Sequence, residues 1–307
     1  MTSETICQDT PGLPEVEHAR VGEIEIAYDL HGDPADPVLL VLPGLGTQMV
    51  YWDLPLVEML TDRGFRVLRI DNRDNGASTI LRTKGKPALP AMMLGLPRDL
   101  TYTLNDMAAD AVGVLDHLEI ETAHVVGYSM GGMIAQTMAI DFPGRVLSLT
   151  SMMSRTGSRR DALPGVRELA ALMRNRPTGD LESYLAAMEV LAATIGSPDF
   201  PTDKERLRAL STIAYQRGIH LDGTARQLHA INCQQKRDRA LAGLEIPAVV
   251  IHGARVRLVL PRGGRATARA IPDAELRIYE GMGHDIPEQL WPQFTDEIEK
   301  VATRAAG

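Results

Sequence analysis

The chain has 307 residues, 44% hydrophobic and 23% charged, the balance of an ordinary globular protein and not of a disordered one. Its 32 basic and 40 acidic residues leave a net charge of −8, which disfavours broad contact with phosphate backbones or anionic lipid, so no nucleic-acid partner is expected. Cys7 and Cys233 make neither a disulfide framework nor a metal-ligand spacing, and no apolar run approaches the roughly 18 residues of a membrane span.

Residues 1–17 are polar, are broken by Pro11, Gly12 and Pro14, and lack the basic and apolar regions of a signal peptide, so a cytoplasmic location is expected. Two short strand patterns follow, around 18–22 and 23–30, and then the turn HGDPADP. Pro37 to Leu42 is a continuous apolar run that ends at Pro43-Gly44, the signature of a buried parallel strand. The same signature returns at Arg66–Ile70, His124–Val126, Val146–Leu149, Ala248–Ile251 and Leu276–Tyr279. Helix patterns lie between these runs, at about 53–63, 103–118, 130–141, 263–270 and 287–303, and Thr103 with Asp106 resembles a capping box. Strand alternating with helix predicts a mostly parallel sheet covered on both faces.

Two segments break the alternation. Residues 79–100 form a long connection, and such connections in compact domains are often functional. Residues 155–230 hold three helix patterns (VRELAALMRN, LESYLAAMEVLAATIG and DKERLRALSTIAYQRG) and no convincing strand, and read as a helical cap. The expected organisation is therefore a core in two parts, 1–154 and 231–307, with the cap at 155–230 between them.

The strongest local signal is Gly127-Tyr128-Ser129-Met130-Gly131, set between a predicted strand and a predicted helix. This is the context of a GxSxG nucleophile elbow, in which glycines without Cβ bulk let the chain reverse around an exposed serine. The serine stands at a helix N-terminus, where free N–H groups favour developing negative charge. An acyl-transfer serine also needs an oxyanion hole; Met130 N–H is one candidate donor, and Leu45 N–H in the turn Pro43-Gly44-Leu45-Gly46 is the other. A base is expected from His284, in Glu280-Gly281-Met282-Gly283-His284-Asp285, directly after the last predicted strand. His252 ends a strand and reads as structural.

The stretches PGLG at 43–46, DNRDNGAS at 71–78, GYSMGG at 127–132, IPAVVIHG at 246–253 and EGMGHD at 280–285 occur in an order that resembles the α/β-hydrolase superfamily. The chain is particularly similar to small bacterial serine esterases of the polyketide methylesterase type. The resemblance implies an α/β-hydrolase fold: an eight-stranded, mostly parallel sheet with helices on both faces and a helical cap. It implies a Ser-His-acid triad and no metal or organic cofactor. Ser129 maps to the nucleophile, His284 to the base, and Leu45 and Met130 to the oxyanion hole. Pro43 stands where many relatives carry histidine, at little cost to a hole built from backbone N–H groups.

The chain departs from the family after its seventh strand. Relatives commonly read HGxxDP there, and that aspartate is the triad acid; this chain reads His252-Gly253-Ala254-Arg255-Val256-Arg257, so Val256 occupies the acid position between two arginines. Valine can neither hold the histidine tautomer nor stabilise an imidazolium, and the two cations are expected to oppose protonation of His284. Among nearby carboxylates, Asp285 reads as the start of the last helix, Glu280 as the end of a strand, and Asp74 as structural. Three explanations stay open: a weakened Ser-His hydrolase, a fold recruited for binding or a non-hydrolytic step, and a compensated frame change in the gene over 255–257.

The expected function is hydrolysis of a small-molecule carboxylic ester with an apolar group, through an acyl-enzyme on Ser129. The alternatives are a catalytically silent binding protein on the same fold and a cofactor-free haloperoxidase-like enzyme. Met49, Met92, Met93, Met130, Met133, Met152 and Met153 suggest an adaptable apolar pocket wall, with Met133 better read as core. Arg155, Arg159 and Arg160 read as a solvated charged face at the cap entrance. Oligomeric state is left open.

Overall fold

The computed structural model of the chain describes residues 16–82, 85–158 and 179–305. Eight strands form one sheet: β1 (Glu17–Val21), β2 (Ile24–His31), β3 (Val38–Leu42), β4 (Arg66–Ile70), β5 (Ala123–Tyr128), β6 (Val146–Met152), β7 (Ala248–Gly253) and β8 (Glu275–Tyr279). Their spatial order is β1-β2-β4-β3-β5-β6-β7-β8. β2 runs antiparallel to β1 and β4, and every later pairing is parallel.

The short apolar runs become central strands because both faces of the sheet are covered. Along β3, Leu40 and Leu42 pack into one apolar cluster while Leu39 and Val41 pack into another. The first cluster takes in helices α3 (Leu104–His117) and α4 (Met130–Asp141). The second takes in α1 (Leu54–Thr61) and the last helix, which carries Trp291, Phe294, Ile298 and Val301. α3 opens with the predicted capping box: Thr103 Oγ1 accepts from Asp106 N, and the Asp106 side chain accepts from Thr103 N at 2.7 Å. Among its described residues the long connection after β4 contains the short helix α2 (Leu89–Leu94).

Between β6 and β7 lie α5 (Leu181–Ile195), α6 (Lys204–Arg217), α7 (Leu221–Cys233) and the short α8 (Asp238–Leu241). Asp180 and Asp203 cap α5 and α6 by accepting from Ser183 N and Arg206 N. The predicted helix VRELAALMRN lies outside the described residues, and α7 runs beyond residue 230. These helices are tied to the loops beside the sheet by ion pairs that include Arg206 with Asp53 and Glu288, Arg217 with Asp71, and Arg226 with Asp74. The chain then closes with α9 (Pro261–Ala270), β8 and α10 (Trp291–Ala305). The C-terminal ends of β3, β5, β7 and β8 meet at one rim of the sheet, and the loops that leave this rim carry the candidate site.

Candidate active site

Ser129 sits between β5 and α4 with φ 55° and ψ −113°, a left-handed backbone that a non-glycine residue rarely adopts. Such a conformation costs on the order of 1–3 kcal/mol and persists only where the surroundings enforce it. Here Ser129 N donates to Met152 O at 2.8 Å, which anchors the turn to the end of β6. Two glycines make the turn possible. A Cβ on Gly127 would run into the Gly131 backbone, and one on Gly131 would lie 2.6 Å from the Leu42 carbonyl carbon and 2.8 Å from Pro43 O. The tight approach at Gly131 brings the start of α4 against the β3 exit loop.

That contact places the two candidate oxyanion donors on adjoining segments. A Cβ built on Gly44, the residue before Leu45, would be 3.5 Å from Ser129 Cβ, so the loop that carries Leu45 borders the serine directly. Met130 follows Ser129 as the first residue of α4. The loop is held from two sides: Asn72 Nδ2 donates to Pro43 O at 3.1 Å, and Gly46 N donates to Gln227 Oε1 of α7 at 2.9 Å. Sequence reading missed Gln227, which lies 181 positions from its partner with no spacing signal to reveal it.

His284 comes to the same point from the loop after β8. Its Nε2 lies 2.9 Å from Ser129 Oγ, so two groups 155 positions apart form the predicted pair. The imidazole is 3% exposed. Its main chain is fixed at both ends, because His284 N donates to Ile195 O at 2.6 Å and Tyr128 OH donates to His284 O at 2.7 Å. The Tyr128 ring also packs against the imidazole, with centroids 5.2 Å apart. The tyrosine inside the elbow motif is thus a support for the histidine, a role its sequence position did not disclose.

The other imidazole nitrogen, His284 Nδ1, is buried with no hydrogen-bond partner among the described residues. If Nε2 accepts the serine proton, Nδ1 must carry the ring hydrogen and bury it unpaired, at about 1–3 kcal/mol. Burial pushes the His284 pKa down to about 3, with a further push from His252. His252 is itself buried and lowered to about 4, mainly by desolvation. The expectation that Arg255 and Arg257 would repel the imidazolium needs correction: both are exposed, and the opposing charge comes from His252.

Val256 is 1% exposed and packs in the same apolar cluster as Met153, Ile251 and Met282. The backbone around it is regular, since Arg255 N donates to Met282 O at 2.9 Å and Ala254 N to Tyr279 O at 2.9 Å. The loop is in place and only its side chain is apolar. Among the described residues no nearby carboxylate takes over. Glu280 is exposed, and Asp74 is bound to Arg226 and to Leu81 N. Asp285 does not open the last helix, which starts at Trp291; its carboxylate is turned to Ser197 on the α5–α6 connection.

Two further expectations change. Met130 joins one core cluster and Met152 and Met153 the other, so these three are packing residues and not pocket wall; Met133 is core, as expected. Arg155 is buried, with Nη1 3.3 Å from Ser158 O, and so is not part of a solvated face; Arg159 and Arg160 lie outside the described residues. Among the described residues, no group of three or more His, Cys, Asp or Glu converges as metal ligands would. No helix among them is long and apolar enough to cross a membrane.

Comparison with known proteins gives a consistent frame. The chain is 27% identical over 274 residues to a rhodomycin D methylesterase of Streptomyces sp. strain C5, a match covering 83% of this chain and 87% of that one. It is 29% identical over 273 residues to a 2-hydroxy-6-oxononadienedioate/2-hydroxy-6-oxononatrienedioate hydrolase of Pseudomonas sp., covering 86% and 88%. Its fold superposes on an enol-lactonase from Burkholderia xenovorans LB400 with a TM-score of 0.70 at 24% identity, over 94% of this chain and 100% of that one. The family model described as alpha/beta hydrolase fold matches residues 37–289, and with the sheet order and the serine elbow already described, the chain belongs to the α/β-hydrolase family.

Proposed function

We propose that this hydrolase cleaves a small-molecule carboxylic ester through an acyl-enzyme on Ser129, at a rate lowered by the valine at position 256. The observation that carries the reading is the 2.9 Å contact between His284 Nε2 and Ser129 Oγ, within hydrogen-bond reach for proton transfer. Ser129 Oγ attacks the ester carbonyl and passes its proton to His284 Nε2. The oxygen that becomes negative lies between the N–H groups of Leu45 and Met130. The imidazolium then protonates the leaving alcohol. Water attacks the acyl carbon and gives its proton to the neutral imidazole; the acyl C–Oγ bond breaks, His284 returns that proton to Ser129 Oγ, and the acid departs. An apolar substrate group is the better fit, because the Tyr128 ring packs beside His284 and the residues flanking Ser129 in the chain, Tyr128 and Met130, are both apolar in their bulk.

The weak point is the imidazolium. In a triad serine protease, loss of the acid's charge lowers turnover about 10⁴-fold, equivalent to about 5–6 kcal/mol of barrier. The oxyanion hole and substrate binding alone still leave about 10³–10⁴-fold catalysis over water in such enzymes. The orphaned Nδ1 favours a second reading, a silent binding protein on the same fold. Covalent labelling by a serine-directed alkyl phosphonate, read by intact mass, separates the two. The hydrolase reading expects one adduct on Ser129 that is lost in Ser129→Ala. A folded wild-type chain that stays unlabelled supports the binding protein.

A further inference from the structure

The loop that carries His284 is stitched to the segment that ends α5. Gly283 N donates to Ser197 Oγ at 2.8 Å, and His284 N donates to Ile195 O at 2.6 Å. Ser197 N donates to Asp285 Oδ2 at 3.2 Å, and Ser197 Oγ donates to Asp285 Oδ1. Asp199 N reaches Gly281 O at 3.4 Å. The two segments are so close that a Cβ on Gly283 would lie 2.7 Å from Ile195 O. Ser197 is 8% exposed, and its hydroxyl both receives from the residue before the histidine and donates to the residue after it.

We infer that Ser197, with Asp285 as its anchor, is the positioning residue of His284. It fixes the imidazole from the main-chain side, where relatives with an aspartate at position 256 fix it through Nδ1. The inference rests on the ester-hydrolase reading for its chemistry, but the placement of the imidazole can be read without turnover. A triad acid holds the ring by its far nitrogen. Here that nitrogen is bare, and the bonds that limit the ring's position come through the backbones of Gly283 and His284. The alcohol and the imidazole are therefore kept in register by Tyr128 from the sheet side and by Ser197 from the cap segment.

The test compares Ser197→Ala and Ser197→Thr in the wild-type and Val256→Asp backgrounds, with thermal unfolding followed in each. In the wild-type background Ser197→Ala is expected to slow phosphonate labelling on the order of 100-fold, the cost of misplacing a reacting group by about 1 Å. Ser197→Thr, which keeps the hydroxyl, is expected to restore most of the rate. In the Val256→Asp background the same alanine is expected to cost about tenfold or less, because the new carboxylate holds the ring independently. An equal loss in both backgrounds would mark Ser197 as a general structural contact and overturn the inference.

Histidine Cε1 NMR on the same proteins gives a readout that needs no labelling. Ser197→Ala is expected to move the His284 titration up toward the ordinary histidine range as the ring gains solvent. An unmoved titration overturns the positioning role. Absent labelling of wild type with a moved titration overturns the ester-hydrolase reading alone.

Discussion

The guanidinium of Arg226, on α7, meets the carboxylate of Asp74, in the loop after β4, through two hydrogen bonds of 2.7 and 2.6 Å with both side chains sealed from solvent. Asp74 has a positive φ of 67° and also accepts from Leu81 N at 2.8 Å, so the pair locks a strained loop as well as a helix. The arginine beside it holds the Asp74 carboxyl below the usual carboxylate range despite burial, which alone would raise it. Arg226→Met leaves that carboxylate buried and unpaired. A loss of about 3–5 kcal/mol is expected in urea unfolding, with partial recovery in the double variant that adds Asp74→Asn. A loss below about 1 kcal/mol would mean the pair is replaceable by water.

Val256→Asp is expected to raise ester turnover, by up to about 10⁴-fold if the new carboxylate reaches His284 Nδ1. The flanking backbone bonds, Arg255 N to Met282 O and Ala254 N to Tyr279 O, already hold that loop against the histidine loop. Hydrolysis of p-nitrophenyl esters of graded chain length is the assay. No gain for any ester would show that more than the acid is missing.

Stability should fall in acid because of two histidines. His284 and His252 have pKa values near 3 and 4 in the folded chain, both lowered by burial, against 6.5 when unfolded. Between about pH 6.5 and pH 4 the unfolded chain binds protons that the folded chain refuses. Their contribution to stability is therefore full above pH 6.5 and is lost as the pH falls, by at most about 1.4 kcal/mol per pH unit for each histidine. Urea unfolding at pH 7.5 and pH 5 measures the loss. His252→Asn is expected to reduce it by up to half, and identical pH slopes for wild type and variant would contradict this.

Gly131→Ala should damage folding more than a helix-interior alanine normally does. Its Cβ would press on the Leu42 and Pro43 carbonyls, which are backbone and cannot swing aside. A loss of about 1–3 kcal/mol is expected from such overpacking, together with a lower labelling rate at Ser129. Gly144→Ala, where a Cβ would meet nothing within 4 Å, serves as the control.

The eight strands and the helices at 54–61, 104–117 and 130–141 were legible because each rests on a local pattern: an apolar run, a capping box, a glycine-flanked turn. The serine elbow was legible for the same reason, and His284 through its place after the last strand. The supports were not. Gln227 on Gly46, Ile195 on His284 and Ser197 on Asp285 join residues about 90 to 180 positions apart, and no periodicity records such meetings. Asp285 was misread because an acidic residue before a helix usually caps it, and here the helix begins six positions later. Arg155 was misread because a run of arginines suggests a wet surface, and charge alone does not tell burial.

The salt links from Arg217 to Asp71 and from Arg226 to Asp74 have a kinetic meaning. Both pairs are buried and join α6 and α7 to the loop after β4, so these two helices should come away from the sheet only when the core itself melts, and their amides should exchange with solvent as slowly as those of the central strands.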